Sequence, residues 1–162
     1  MIDLRSLLEK DGFYRIPLKK LQTGHYKFHA KINNIEGDFI LDTGASTSCI
    51  GVKFITFFSL LNEESDIKAA GAGATNMLTQ LAKNNSLGVG KLQLKNIDFV
   101  LFDLSHVNEA LAQADEIPVH GILGADILKK HRAVIDYGRN NLSRSKNLSI
   151  FNLPKGIAYC EV

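Results

Sequence analysis

The spacing of apolar residues changes after about the tenth position of the chain. Within residues 1–10, apolar and charged side chains alternate at close to helical spacing, which predicts a short amphipathic helix or arm. Further on, short runs of aromatic and β-branched residues are separated by Gly and Asn, which is the pattern of strands joined by turns. The predicted strands are residues 14–18, 25–32, 38–41, 87–94, 97–104, 119–123, 133–137 and 148–151, with predicted turns at 33–34, 36–37, 95–96 and 138–141.

Other segments depart from the strand pattern. Residues 52–61 are too densely apolar for clean alternation, so we expect a short helix or an irregular buried segment there. Ser105 is the predicted N-cap of a helix that reaches Ala114, and residues 125–130 predict another helix with its cations in the last turn. Residues 140–149 are polar enough to form a loose loop. Together these elements predict a mainly β chain with a few short helices.

A glycine-rich segment lies between the two halves of this pattern. Residues 69–75, with the sequence AAGAGAT, carry only small side chains and include Gly71 and Gly73. Because so little side chain intervenes, this backbone can bend sharply or approach a ligand closely. We therefore expect a mobile hairpin tip at this position.

Composition narrows the class of protein. A chain of 162 residues that is 45 % apolar can build one domain around its own core. The 19 Lys and Arg nearly balance the 17 Asp and Glu without forming a basic stripe, so we expect no nucleic-acid partner. Cys49, Cys160 and the five histidines lack the spacing of a metal site. Neither a secretory signal nor a membrane span is evident, so we expect a cytoplasmic protein without a membrane partner.

The segment that is most informative about function surrounds Asp42. The apolar residues 39–41 lead directly into Asp42, Thr43 and Gly44, and the glycine closes a tight turn. An acid in this position is buried yet reachable, as a carboxylate that activates water must be. The sequence Asp-Thr-Gly also occurs in ordinary turns, where the aspartate side chain accepts a hydrogen bond from its own backbone. The motif alone therefore leaves both explanations open.

Context around this motif resembles a known family. Further along the chain, residues 120–128 read HGILGADIL, where two apolar residues precede a glycine and then a predicted helix. A D-T-G-A motif after an apolar strand, a glycine-rich segment and an apolar-apolar-Gly element together resemble the retropepsin-like aspartic proteases, of the bacterial single-domain type. The resemblance covers roughly residues 28–137. It implies a closed β-barrel-like acid protease fold that functions as a homodimer. We assign residues 25–162 to the protease domain and residues 1–24 to an N-terminal helix or arm.

The resemblance also implies roles for individual residues. Asp42 would be the catalytic carboxylate, Thr43 would hydrogen-bond across the dimer, and Gly44 would donate its backbone N–H to the carboxylate. The chain has one such motif, so the second Asp42 must come from another copy related by a two-fold axis. The implied activity is that of an aspartic endopeptidase that cleaves a peptide or protein substrate without a cofactor or metal. The implied substrate-binding residues are Ala45 in the loop and Gly71, Ala72 and Gly73 in the flap.

Three positions depart from the family pattern. Ala45 replaces the hydroxyl residue of the pepsin-like relatives, so we expect a pH optimum nearer neutral. Ser46 and Ala125 replace both members of an ion pair found in the retroviral enzymes, so the retroviral dimer contacts do not transfer to this chain. Asp126 is assigned to the start of a helix, where a negative charge complements the dipole.

The alternative function is a non-catalytic, protease-like module that binds peptides or dimerises.

Overall fold

The computed structural model describes residues 3–71 and 74–145, and for residues 63–71, 74–79 and Ser145 it describes the backbone alone. The elements in chain order are α1 (Leu4–Lys10), β1 (Phe13–Pro17), β2 (Lys19–Lys20), β3 (Tyr26–Ile32), β4 (Ile35–Leu41), β5 (Cys49–Gly51), a 3-10 helix (Val52–Phe54), β6 (Asn62–Gly71), β7 (Ala74–Val89), β8 (Leu92–Phe102), α2 (Ser105–Gln113), β9 (Gly121–Leu123), α3 (Ala125–Lys130), β10 (Val134–Asp136) and β11 (Asn141–Ser145).

Six strands form a closed barrel in the order β3-β4-β9-β5-β8-β7. The barrel closes where β7 returns to pair with β3, with Lys31 opposite Gly88 and Ile32 opposite Leu87. Strand β2 extends the sheet beside β3, β6 pairs with β7, and a separate three-stranded sheet has the order β1-β11-β10. Alternate side chains of each strand point into the barrel, and these side chains are mostly apolar and form the main core. Its most deeply buried large members are Phe58, Phe99, Ile32, Ile50, Leu87 and Leu101.

Strand β9 lies between β4 and β5 and sets the geometry of the candidate site. It runs parallel to β4, with Leu41 opposite Leu123, and antiparallel to β5, with Cys49 opposite Ile122. This placement requires a glycine at the start of β9. A Cβ on Gly121 would overlap the Cys49 carbonyl oxygen, closer than carbon and oxygen atoms approach in proteins.

The first prediction concerns this close approach. We expect Gly121→Ala to lower the free energy of unfolding by about 2 kcal/mol, because the added methyl group must push β5 and β9 apart. Urea unfolding followed by circular dichroism measures the change. Gly138→Ala is the matched control, since a Cβ there would meet its nearest atom at an ordinary contact distance of 3.4 Å. Equal stability of the two variants would show that β9 does not need this glycine.

Two predicted turns lie elsewhere in the structure. Residues 36–37 continue β4, because the chain has already reversed at Asn33 and Asn34, whose φ values are 50° and 68°. Residues 95–96 lie inside β8, and the hairpin between β7 and β8 turns at Gly90, where φ is +58°. Glycine adopts this backbone conformation without a steric cost. The turn predictions at 36–37 and 95–96 are therefore wrong, and the one at 33–34 is confirmed.

Two further local predictions are corrected. The loose loop expected at 140–149 is wrong in its first half, because residues 141–145 form β11 between β1 and β10 and gain their backbone partners from both. Ser105 is the first residue of α2 and does not cap it; the preceding residue, Leu104, provides no side-chain cap. Asp103 accepts hydrogen bonds from the Ser105 backbone N and Oγ at 2.9 and 2.6 Å instead. An aspartate two residues earlier therefore holds this helix start.

The strand predicted at 87–94 is also wrong, because residues 87–89 end β7 and residues 92–94 begin β8, on either side of the turn at Gly90. The sequence pattern did not indicate β2, β5, β6 or residues 74–86 of β7 as strands. The other predicted helices and strands overlap those of the structure where it describes them. Helices α1 and α3 lie where predicted, and residues 52–61 form a short 3-10 helix followed by turns, with Phe58 and Leu60 buried. The strand predicted at 148–151 lies outside the described residues. Within the described part of the chain, none of the helices has both the length and the apolar character needed to cross a membrane.

Candidate active site

Asp42 begins the loop between β4 and β5, where two backbone hydrogen bonds and one to its carboxylate hold it. The Asp42 backbone N donates to the Leu123 carbonyl at 3.1 Å, which ties the end of β4 to β9. The Asp42 carbonyl accepts from the Ala45 N at 3.3 Å and closes the turn. Gly44 N donates to Asp42 Oδ1 at 2.9 Å. The carboxylate is therefore oriented by its own turn while Asp42 stays half-buried, with access to solvent.

The start of α3 packs against this loop through the backbone. Ala125 N donates to the Ala45 carbonyl at 2.7 Å. The approach is so close that a Cβ on Gly124 would stand 2.7 Å from the Ala45 oxygen and 2.9 Å from the Thr47 carbonyl carbon. Only glycine fits at this contact, which explains why the apolar-apolar-Gly element ends as it does. The loop and the helix start form one packed unit.

A side-chain contact links the same two segments at their far end. Asp126 Oδ1 accepts from the Ser48 backbone N at 3.0 Å and from Ser48 Oγ at 2.7 Å. Ser48 Oγ in turn accepts from Gly124 N at 2.9 Å, and Ser48 is fully buried. Asp126 lies in the first turn of α3, as the sequence predicts. Its bond to Ser48 could not be read from the sequence, because the two residues lie far apart along the chain.

Cys49 follows this loop as a buried thiol. Burial raises the pKa of Cys49 to about 12, and the negative charges of Asp126 and Asp42 act in the same direction. The thiol is therefore protonated at neutral pH and packs as a small apolar group. Cys160 lies outside the described residues.

His120 lies directly before β9, close to a cluster of aromatic rings. Its ring centre is 4.5 Å from that of Phe54 and 5.3 Å from that of Phe57. His120 Nδ1 accepts from the Asp38 backbone N at 3.0 Å, and burial lowers the pKa of His120. These contacts describe a neutral imidazole that packs at the end of the barrel.

The structure brings part of the predicted site together. Asp42, Thr43, Gly44 and Ala45 share one turn. Strands β6 and β7 pair in the region where the flap is predicted, and Gly71 pairs with Ala74 at their described end. The predicted flap residues 72–73, Ala72 and Gly73, lie outside the described residues. Among the described residues, no group of three or more His, Cys, Asp and Glu side chains is placed to hold a metal ion.

A family of known proteins matches this chain. The family model described as Aspartyl protease matches residues 28–127, which is more than half of the chain and includes both the Asp42 loop and Asp126. A comparison with curated proteins found no match.

Solved structures share the fold. A retropepsin-like aspartic protease from Rickettsia conorii has 20 % sequence identity and a TM-score of 0.56, over 82 % of this chain and 89 % of that one. The retroviral protease-like domain of Ddi1 from Leishmania major has 14 % identity and a TM-score of 0.51, over 74 % of this chain and 86 % of that one. The predicted mainly β, closed-barrel retropepsin fold is therefore confirmed, whereas the homodimer stays a prediction.

Proposed function

Because the chain belongs to the aspartyl protease family, with a retropepsin-like fold, we propose that it is an aspartic endopeptidase that works as a homodimer. The observation that carries the proposal is the Asp42 loop. A half-buried carboxylate whose Oδ1 accepts from Gly44 N stands at the end of β4 and is supported by β9 and α3. The carboxylate is therefore held in a fixed position and remains accessible to solvent. A group that activates water requires both.

The proposed mechanism uses one Asp42 from each protomer. Two carboxylates about 3 Å apart cannot both ionise, so the pair holds one proton, which is the behaviour for which aspartic proteases are the standard example. The ionised Asp42 takes a proton from the attacking water. The protonated Asp42 hydrogen-bonds to the scissile carbonyl and then gives its proton to the leaving amine. Thr43 holds the two loops in register across the dimer, and no metal or cofactor takes part.

The proposed substrate is an extended peptide that lies between the Asp42 loop and the β6–β7 hairpin. Bound as an added strand, it gains main-chain hydrogen bonds from both sides of the cleft. Closure of the hairpin excludes water from the reaction. The proposed contact residues are Ala45, Gly71, Ala72 and Gly73. With Ala45 in place of a hydroxyl residue, we propose a pH optimum nearer neutral than that of pepsin-like enzymes.

The domain boundaries and the location of the protein are part of the same proposal. The protease domain spans residues 25–162, and residues 1–24 form an N-terminal arm. This arm is attached to the rest of the chain, because β1 pairs with β11 and β2 pairs with β3. The proposed location is the cytoplasm.

The dimer mechanism predicts activity that depends on protein concentration. We expect the specific activity on a peptide substrate to fall at least tenfold on dilution through the dissociation constant of the dimer, since a lone protomer supplies one carboxylate. Initial rates measured over a dilution series, with sedimentation velocity at the same concentrations, test this. Constant specific activity in samples shown to be monomeric would contradict the mechanism.

A non-catalytic peptide-binding module is the second candidate, because the Leishmania neighbour is described only as protease-like. The two candidates differ in their response to a statine-type peptide, which mimics the tetrahedral transition state. An enzyme binds such a mimic at least about 100-fold more tightly than the matching substrate peptide. A binding module holds both peptides equally and cleaves neither. Calorimetric titration with the two peptides separates the candidates.

A further inference from the structure

Ser48 is a buried hydroxyl group at the end of the Asp42 loop. It is fully buried, so each of its polar groups needs a partner within the protein. Its backbone N and its Oγ both donate to Asp126 Oδ1, and its Oγ accepts from Gly124 N. The hydroxyl therefore uses its donor and one acceptor position at once. The charged acceptor makes these hydrogen bonds stronger than neutral ones.

Asp126 is itself anchored to the barrel core. The two residues that follow it in α3, Ile127 and Leu128, are buried in the main core cluster. Leu128 N donates to the Gly124 carbonyl at 3.2 Å, which completes the first turn of the helix. Because α3 is fixed by this packing, a hydrogen bond from the loop to the Asp126 carboxylate is a bond to the rigid part of the fold.

The loop is thus held at three points. At the start of the loop, Asp42 N donates a hydrogen bond to the Leu123 carbonyl. In the middle, the Ala45 carbonyl accepts one from Ala125 N, and at the end Ser48 donates to Asp126. The first two contacts are between backbone atoms, and only the third depends on a side-chain carboxylate. A substitution at Asp126 can therefore loosen the loop without replacing any residue of the Asp42 turn.

We propose that Asp126 is a positioning residue for Asp42. Through its hydrogen bonds to Ser48, Asp126 holds the end of the Asp42 loop and so fixes the position of the Asp42 carboxylate. The inference rests on the proposed function, in which Asp42 must meet its symmetry mate with a water between them. Misplacement of a reacting group by about 1 Å costs on the order of 100-fold in rate. If Asp126 only complemented the dipole of α3, as the sequence predicts, its removal would not change the rate of the reaction in this way.

The test compares Asp126→Ala with Asp126→Asn. The alanine removes the acceptor, and we expect kcat to fall about 10- to 100-fold with KM changed less than about threefold, because an interaction needed for the transition state is lost. The asparagine Oδ1 still accepts from Ser48, so this variant should retain kcat within about threefold of the parent. Asp103→Ala is the matched control, since Asp103 accepts from the N and Oγ of Ser105 in the same way at the start of α2.

A second readout does not depend on catalysis. Hydrogen–deuterium exchange of a peptide covering residues 42–48 should be at least about tenfold faster in Asp126→Ala, and unchanged in Asp126→Asn and in the Asp103 control. A peptide from β8, residues 92–102, should exchange equally in all variants. If Asp126→Ala fails to fold, Ser48→Ala replaces it, and we expect a smaller loss of kcat and faster exchange of the same peptide.

The outcomes separate this inference from the proposed function. If the parent protein cleaves peptides and Asp126→Ala keeps its kcat, the inference is overturned and the proposed function stands. If the parent cleaves no peptide, the proposed function fails, and exchange alone decides whether Asp126 holds the loop. Equal exchange in the parent and in Asp126→Ala would overturn the inference in either case. A similar loss in the alanine and asparagine variants would show that charge, and not loop position, is responsible.

Discussion

Asp42→Asn should reduce the rate of peptide cleavage at least about 1000-fold while the protein stays folded and keeps the assembly state of the parent. An amide cannot take a proton from water at neutral pH, so general base catalysis is lost, and such a step contributes about 100- to 10000-fold. The asparagine Oδ1 can still accept from Gly44 N, so the turn should keep its shape. Initial rates on a peptide chosen from a library measure the loss, and sedimentation velocity with circular dichroism checks the assembly.

Asp136→Asn is the control for this substitution. The Asp136 carboxylate also accepts a backbone hydrogen bond in its own turn, from Arg139 N at 3.1 Å. It should therefore report any general effect of replacing a turn aspartate. Full activity of Asp42→Asn would refute the assignment of the catalytic carboxylate.

Mixing experiments sharpen the same prediction. If each active dimer needs two ionisable Asp42 residues, mixed dimers of parent and Asp42→Asn chains are inactive. Activity at fixed total protein should then follow the square of the parent fraction once the chains have exchanged. A linear dependence on the parent fraction would indicate that one carboxylate is enough.

The stability of the fold should fall between pH 6.5 and about 4 because of a buried histidine. His131 and Arg144 are each 5 % exposed, and Arg144 Nη2 donates to His131 Nδ1 at 2.8 Å. Burial, followed by the charges of Arg144 and Lys130, lowers the pKa of His131 to about 4. Protonation of Nδ1 would break this hydrogen bond and place a second positive charge against the guanidinium group.

The sign of the effect follows from proton binding. In the unfolded chain the pKa of His131 returns to about 6.5, so between pH 4 and 6.5 the unfolded state binds more protons than the folded state. This contribution to stability is complete above about pH 6.5 and is lost as pH falls through about 4. A shift of this size corresponds to at most about 3 kcal/mol.

His131→Gln isolates this contribution, because glutamine can accept from Arg144 but does not titrate. The free energy of unfolding of the parent should decline relative to His131→Gln below about pH 6.5, with the full difference at about pH 4. Urea unfolding at one fixed protein concentration measures it, since dissociation of the proposed dimer would also change apparent stability. His25→Gln, at an exposed position, should follow the parent. Parallel curves for the parent and His131→Gln from pH 4 to 8 would contradict the prediction.

Local pattern located most elements but not all of their ends. Two asparagines at 33–34 and a glycine at position 90 reverse the chain, whereas the predicted turns at 36–37 and 95–96 lie inside strands. Asn96 does have a positive φ of 55°, but β8 passes through it without ending. Several segments have suitable turn residues, and the pairing of whole strands selects among them. Strand register is a long-range property that single-residue preference does not contain.

The mainly β class, the positions of α1 and α3, and the turn that presents Asp42 were predictable from the amino-acid pattern, because each depends on neighbouring residues. Three contacts were not predictable in this way: β7 closes the barrel onto β3, His131 receives a hydrogen bond from Arg144, and Asp126 holds Ser48. These contacts join residues from different elements. The packing of the barrel determines which residues meet in these contacts, and the periodicity of apolar residues along the chain does not predict it.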